Sequence, residues 1–295
     1  MGKSPSSPPD PLSLLERGNY ETIVESVRRA LAEDRATDDV TTRLLGANAE
    51  RPAVARLIAE DRFVVAGLPI VGAVFRELDP DARLLSEIDE GAWTKPGQVI
   101  ATVRGRAAAL LSAERVALNF LQRLSGVATQ TRLAVEAVAG TGAKITHTRK
   151  TTPGLRALEL YAIRVGGGVD NRASLADAVL WKDNHWALVA RNGNSLAAAL
   201  RTAPKGTPII VEVESDAQLE QAVAAGVRHL LVDNQSPERL AAWVKRAGPE
   251  VTVQASGGIT LENAREFAAA GAALIAIGAL THSVMAAPIS CEIES

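Results

Sequence analysis

Residues 208–258, PIIVEVESDAQLEQAVAAGVRHLLVDNQSPERLAAWVKRAGPEVTVQASGG, alternate short branched apolar runs with helical stretches. Pro208 to Val213, Leu230 to Val232 and Thr252 to Gln254 are rich in side chains that suit a pleated, buried surface. The intervening stretches carry helix punctuation. Ser236-Pro237-Glu238 offers an N-cap, a first-turn proline and an acid near the positive helix end, and Gly226 and Gly248 stand where C-terminal caps belong. Such alternation predicts βαβ units and a parallel sheet, open or closed into a barrel. Working outward, Ala273 to Ile277 adds a strand behind the cap at Gly271, and Ala143 to His147 and Ala178 to Trp181 add two more upstream.

Before Gly140 the text differs. The first dozen residues hold four prolines and three serines, too little apolar surface to offset the entropy of ordering, and are expected to be a disordered tail. Tyr20, Ile23, Val24, Val27 and Leu31 form one face of a helix over residues 19–32. From Ala53 to Val103, Val54 to Ile58, Phe63 to Val65 and Gln98 to Val103 predict a small β-rich domain cut by turns such as Lys95-Pro96-Gly97. Ala107 to Gly140 predicts two bridging helices. The expected domains are therefore 13–125, with the bridging helix, and 126–285, followed by a tail at 286–295. Hydrophobic residues at 47% with aromatics at only 3% suit packed α/β layers built from Ala, Val and Leu. No apolar run spans a bilayer and MGKSPSSPPDPL lacks a secretory stretch, so a cytoplasmic protein is expected. The single cysteine, Cys291, forms no internal disulfide. A net charge of -2 argues against binding nucleic acid through phosphate neutralisation.

In parallel α/β barrels the loops after the strands converge on one face. Here the strands end in Arg149-Lys150, Lys182-Asp183-Asn184-His185, Glu212, Asp233-Asn234, Ser256-Gly257-Gly258 and Gly278 through His282. Arg149, Lys150 and Lys182, joined by Arg172 from a loop, form a group of cations for carboxylates or phosphates. Glu212 and Asp233 suit a hard cation such as Mg2+, or a sugar diol; the rival reading is a salt bridge to a neighbouring lysine. Ser256-Gly257-Gly258, read as opening a helix near Thr260, offers bare N–H groups to a phosphate, with Gly278 and His282 from the next strand end. His147 reads as structural and His229 as a surface residue. Gly166-Gly167-Gly168 follows a helix, not a strand, so it is no dinucleotide fingerprint, and no nucleophile elbow or Cys/His metal cluster occurs.

The strings HTRKTTPGLRALELYAIRVGGG, WKDNH, VEVES, LVDNQ, ASGGIT and IGALTHS, in that order, resemble the quinolinate phosphoribosyltransferase family. ERVALNFLQRLSGVAT and EDRATDDVTT, from Glu114 and Glu33, are similar to its other signature segments, so the likeness spans residues 20 to 290. It implies an N-terminal α/β sandwich followed by an incomplete α/β barrel, and a homodimer or higher oligomer with a shared active site. By resemblance, Arg149, Lys150, Arg172 and Lys182 face the two carboxylates of quinolinate, and Arg115 enters from the partner subunit. Glu212 and Asp233 match acids that hold ribose hydroxyls and Mg2+, while Ser256, Gly257, Gly258, Gly278 and His282 match the 5-phosphate site of phosphoribosyl pyrophosphate. The implied reaction is phosphoribosyl transfer to quinolinate with decarboxylation, Lys150, Glu212 and Asp233 being the catalytic set.

Two positions depart from the family pattern. Asp170-Asn171-Arg172 replaces Asn-His-Arg, and Gln254 stands where an acid commonly precedes ASGG. Asn171 can donate a hydrogen bond to a carboxylate but cannot become a cation. The alternatives are a phosphoribosyltransferase for another aromatic acid, such as nicotinate, or a non-catalytic sensor of the same ligands.

Overall fold

The computed structural model describes residues 17–191 and 195–294, so the tail expected at 1–12 lies outside the described residues. The chain runs α1 (Arg17–Glu33), α2 (Val40–Arg43), β1 (Pro52–Ala59), α3 (Leu68–Leu78), β2 (Arg83–Ser86), β3 (Val99–Arg106) and α4 (Ala107–Ala137). Next come β4 (Lys144–Thr146), α5 (Arg156–Val165), β5 (Val179–Trp181), α6 (Asp183–Arg191), α7 (Leu196–Leu200), β6 (Ile209–Val213) and α8 (Asp216–Ala224). The last elements are β7 (His229–Asp233), α9 (Pro237–Ala247), β8 (Thr252–Ser256), α10 (Ala264–Ala269), β9 (Leu274–Ala276), α11 (Ala279–His282) and β10 (Ile289–Glu294). Two compact units divide it: Met1–Gln130 with Thr152–Gly166 and Val284–Ser295, and Thr131–Thr151 with Gly167–Ser283.

The first unit holds an antiparallel sheet in the order β10-β1-β3-β2. Ala53, Ala55, Leu57 and Ala59 alternate into the core along β1, and the predicted helix stripe is buried at Ile23, Val27 and Leu31. Three readings of this half are corrected. Phe63 to Val65 is not a strand beyond a single bridge from Val64 to Trp93; the apolar run continues into α3, which starts after Gly67 (φ 120°) with a proline in its first turn. A helix buried on nearly every side shows no stripe, so periodicity could not separate it from a strand. The two bridging helices are one, α4, because Gly126 does not break it. A side chain there would collide with the Met285 carbonyl and stand 2.8 Å from Val284 Cγ1, so the glycine serves close packing. The tail expected at 286–295 instead supplies β10, paired with β1 from Val54↔Glu294 to Ala59↔Ile289. The interior also buries ionisable groups. Glu159, fully buried, accepts bonds from Arg123 (2.7 Å) and from the Thr152 N–H and hydroxyl.

The second unit is a six-stranded parallel sheet in the order β4-β9-β8-β7-β6-β5. Strands consecutive in sequence are neighbours from β5 to β9, and β4 then closes on β9, the order of an α/β barrel left open between β4 and β5. The punctuation read from sequence is present: Ser236 accepts the Arg239 N–H as N-cap of α9, and Gly226, Gly248 and Gly271 all adopt positive φ. Register puts Glu212 opposite Leu231 and Leu231 opposite Gln254, while Asp233 meets Ser256. Residues paired across parallel strands share a face, so these side chains share one face with the apolar plug of Ala178, Leu180, Ile210 and Leu231. His229 belongs to this face and is not a surface residue; its Nε2 meets Oε1 of the buried Gln254 at 3.0 Å.

Candidate active site

The ends of β5, β6, β7, β8 and β9 carry the polar residues read from the strings. Glu212 is buried, and burial pushes its carboxyl above the ordinary range; the charge of Lys182 opposes that rise, the charge of Asp233 adds to it, and hydrogen bonds from Lys182 and the Asp183 backbone N–H favour ionisation. Lys182 Nζ lies 3.4 Å from Glu212 Oε2, so the salt bridge weighed as the rival to metal binding is present. It does not use up the acids. Carboxylate oxygens of Glu212, Glu214 and Asp233 lie within 4.8 Å of one another, a set of hard oxygen donors that fits a divalent cation of the magnesium type. Glu214 was not singled out in the sequence; the signal was the period of two in VEVE, which returns residue 214 to the side of residue 212.

Asp233 is oriented by its neighbour. Asn234 Nδ2 donates to Asp233 Oδ2 at 2.6 Å, and the Asn234 N–H donates to the Ser256 carbonyl at 3.0 Å. Asn234 holds φ at 53°, and Gly257 packs against it so closely that a Cβ there would stand 2.7 Å from its backbone nitrogen. The loop after β8 thus buttresses the acid on β7. The helix expected from Thr260 begins only at Ala264 and is six residues long, because Asn263 Oδ1 takes the Thr260 N–H and holds the intervening turn. The glycine loop therefore presents peptide N–H groups from Gly257 (φ 86°) and Gly258 (φ 61°) without a helix end directly behind them.

Gly278, Lys150 and His282 are packed together. A Cβ on Gly278 would lie 3.1 Å from His282 Nε2 and 3.4 Å from Lys150 Cδ, so its lack of a side chain leaves room for both. Thr281, missed in the sequence, donates its hydroxyl to the Lys150 carbonyl at 2.8 Å and ties β9's end to β4's. Arg149 and Arg172 are close enough that their mutual repulsion, after burial, lowers the Arg172 pKa, while Asp177 and Glu212 oppose it. Cations crowded in this way lose energy unless anions join them.

Asn171 has both amide ends engaged: Nδ2 donates to the His147 carbonyl at 3.2 Å and Oδ1 accepts the Arg172 N–H at 2.8 Å. Its own N–H donates to His147 Nε2 at 3.0 Å, which places the buried His147 one residue past β4 as the brace of this loop. Arg115 lies in the first unit on α4 with an exposed side chain, beside Asp34, Arg35, Arg43 and Ser112 around a cavity of about 470 Å3.

A parallel α/β sheet whose strand ends gather cations, three acids and a glycine loop has the chemistry of an α/β enzyme site suited to anionic, phosphorylated ligands. Residues 39–125 match the family model for the quinolinate phosphoribosyl transferase N-terminal domain, and residues 127–292 that for its C-terminal domain. The chain belongs to this family. It is 39% identical over 286 residues to the carboxylating nicotinate-nucleotide pyrophosphorylase of Mycobacterium leprae, covering 95% of this chain and 100% of that one. It is 38% identical over 275 residues to the probable carboxylating nicotinate-nucleotide pyrophosphorylase of Bacillus subtilis, covering 93% and 94%. The solved structure of the nicotinate-nucleotide pyrophosphorylase from Francisella tularensis superposes with a TM-score of 0.85 at 30% identity, covering 93% of this chain and 96% of that one.

Proposed function

We propose that this protein transfers the phosphoribosyl group of phosphoribosyl pyrophosphate to quinolinate with decarboxylation, releasing nicotinate mononucleotide, pyrophosphate and CO2 in NAD biosynthesis. The carrying observation is the meeting of crowded cations with an acid cluster at the ends of one parallel sheet. Arg149, Lys150, Arg172 and Lys182 take the two carboxylates of quinolinate, a dicarboxylate leaving fewer of them unpaired than a monocarboxylate such as nicotinate would. Ser256, Gly257, Gly258, Gly278 and His282 receive the 5-phosphate. Glu212 and Asp233 hold the ribose hydroxyls, and with Glu214 they are the residues that would hold Mg2+. Bound there, magnesium supplies neutralisation of charge on the departing pyrophosphate.

The protein's own work is positioning and electrostatics. The pyridine nitrogen attacks C1 of the ribose as the bond to pyrophosphate breaks, so positive charge grows on the sugar beside Glu212 and Asp233. No covalent enzyme intermediate is needed. Decarboxylation then breaks the bond from the ring carbon beside the nitrogen to its carboxylate; the electron pair stays on that carbon, stabilised by the positive nitrogen, and takes up a proton as CO2 leaves. We further propose a cytoplasmic homodimer in which Arg115 completes the partner's site; among the described residues no helix is long and apolar enough to cross a membrane.

Pyrophosphate release measured with quinolinate and then with nicotinate tests the reading: turnover with quinolinate that chelation abolishes is expected. Glu212→Gln and Asp233→Asn should each lower kcat by about 100-fold or more, the usual scale for removing one preorganised charge contact from a site of this kind. Preference for nicotinate, or turnover indifferent to metal, would reject it.

A further inference from the structure

We propose that Trp186 is a positioning residue for the reaction, clamping the first turn of α6 onto Glu212; the inference rests on the reading that Glu212 serves the transfer. The β5–β6 ladder ends at Trp181↔Val211, one residue short of Glu212. Beyond it the two segments stay joined by three other contacts. Lys182 Nζ reaches the Glu212 carboxylate at 3.4 Å, and the Asp183 backbone N–H donates to the same carboxylate. From one turn further along α6, the Trp186 indole Nε1–H donates to the Glu212 backbone carbonyl at 2.9 Å. Glu212 is thus gripped by its side chain and by its main chain from a single helical turn.

The surrounding packing gives the indole little freedom. Trp181 meets Trp186 edge to face with centroids 6.1 Å apart and lies 5.5 Å from the His185 ring. His185 Nδ1 in turn accepts the Lys182 N–H at 3.0 Å, so the turn is braced at both ends. Trp181 takes no part in the grip, since its own Nε1 is buried without a hydrogen-bond partner among the described residues. Of the two indoles, only the one on α6 is bonded to Glu212. Without that bond the start of α6 is held to Glu212 only through the carboxylate contacts of Lys182 and Asp183, and the acid's placement is less sharply defined.

The test is Trp186→Phe, which keeps an aromatic ring and removes the donor, beside Trp186→His, which retains a ring N–H, and Trp181→Phe as control. Amide hydrogen exchange of residues 182–186 in the ligand-free protein should quicken by about fivefold in Trp186→Phe, the equivalent of one neutral hydrogen bond. The kcat/KM for phosphoribosyl pyrophosphate should fall by a similar factor, with Trp186→His recovering most of the loss and Trp181→Phe staying within twofold of the parent. The parent's Trp186 indole N–H resonance should also be protected and should move when Mg2+ and phosphoribosyl pyrophosphate are added. Unchanged exchange in Trp186→Phe, a freely exchanging indole, or a histidine variant no better than phenylalanine overturns the proposal. If the parent fails to turn over quinolinate, the functional reading falls, while the exchange comparison still decides whether Trp186 holds the turn.

Discussion

Gly257→Ala should damage the site beyond the phosphate loop itself, by displacing Asn234, the residue that orients Asp233. The new Cβ would stand 2.7 Å from both the backbone nitrogen and Cγ of Asn234 and closer still to its amide oxygen, distances no van der Waals contact allows. The backbone at φ 86° adds a conformational penalty of about 1–2 kcal/mol for a residue with a side chain. Overpacking adds about 1–3 kcal/mol, so the native loop geometry is disfavoured by about 2–5 kcal/mol. The chain relieves this by moving Asn234, which releases the 2.6 Å bond that orients Asp233. A penalty of that size, felt as the cost of reaching the competent geometry, corresponds to at least a 30-fold loss in kcat/KM for phosphoribosyl pyrophosphate. Gly258→Ala is the matched comparison. At φ 61° with nothing within 4 Å of its Cβ position, it carries only the backbone penalty and should lose about 5- to 30-fold, less than Gly257→Ala in the same assay. Steady-state kinetics of both variants, with melting temperatures to confirm folding, decide the matter. Equal losses, or Gly257→Ala within threefold of the parent, would refute the buttress between the glycine loop and Asp233.

Glu90 links the N-terminus of α3 to α5: it accepts the Gly67 and Leu68 N–H groups and the Tyr161 hydroxyl, and burial raises its pKa from 4.5 to about 7 against the pull of those bonds. Because the folded state holds this proton more tightly than the unfolded chain, its stabilising effect is full below 4.5 and is lost as pH rises through about 7. Glu90→Gln should therefore gain stability relative to the parent, by about 1–3 kcal/mol, between pH 5 and pH 8 in urea unfolding, and a pH-independent difference would contradict it. The Asn171→His exchange, which by charge alone would tighten quinolinate about five- to tenfold at pH 6, should give no such gain, since residue 171 orders the loop around His147 and Arg172; tighter binding at pH 6 than at pH 8 would restore it as a substrate contact. For the shared site, Arg115→Ala and Lys150→Ala, each inactive alone, should regain part of their activity once subunits have exchanged. No recovery in exchanged mixtures would place Arg115 outside the partner's site.

The second unit was legible in the sequence because its determinants are local. Branched runs such as IIVEV and LLVDN, caps at Ser236 and glycines at helix ends each act within a few residues, and strict alternation leaves a parallel sheet as the way to bury them. Strand ends followed from the same pattern, so the cations, Glu212, Asp233 and the glycine loop were nameable before any coordinates. What the sequence could not decide were contacts between residues far apart in the chain. Ile289–Glu294 becomes a strand only because β1 offers an unpaired edge, and Gly126 sits inside α4 only because Val284 and Met285 leave no room for a side chain. The His229–Gln254 pair needs the register of β7 on β8, and the role of Asn171 needs His147, which lies 24 residues away. Periodicity reports which face of an element is apolar; it carries no record of which distant partner covers that face, and that choice belongs to tertiary packing.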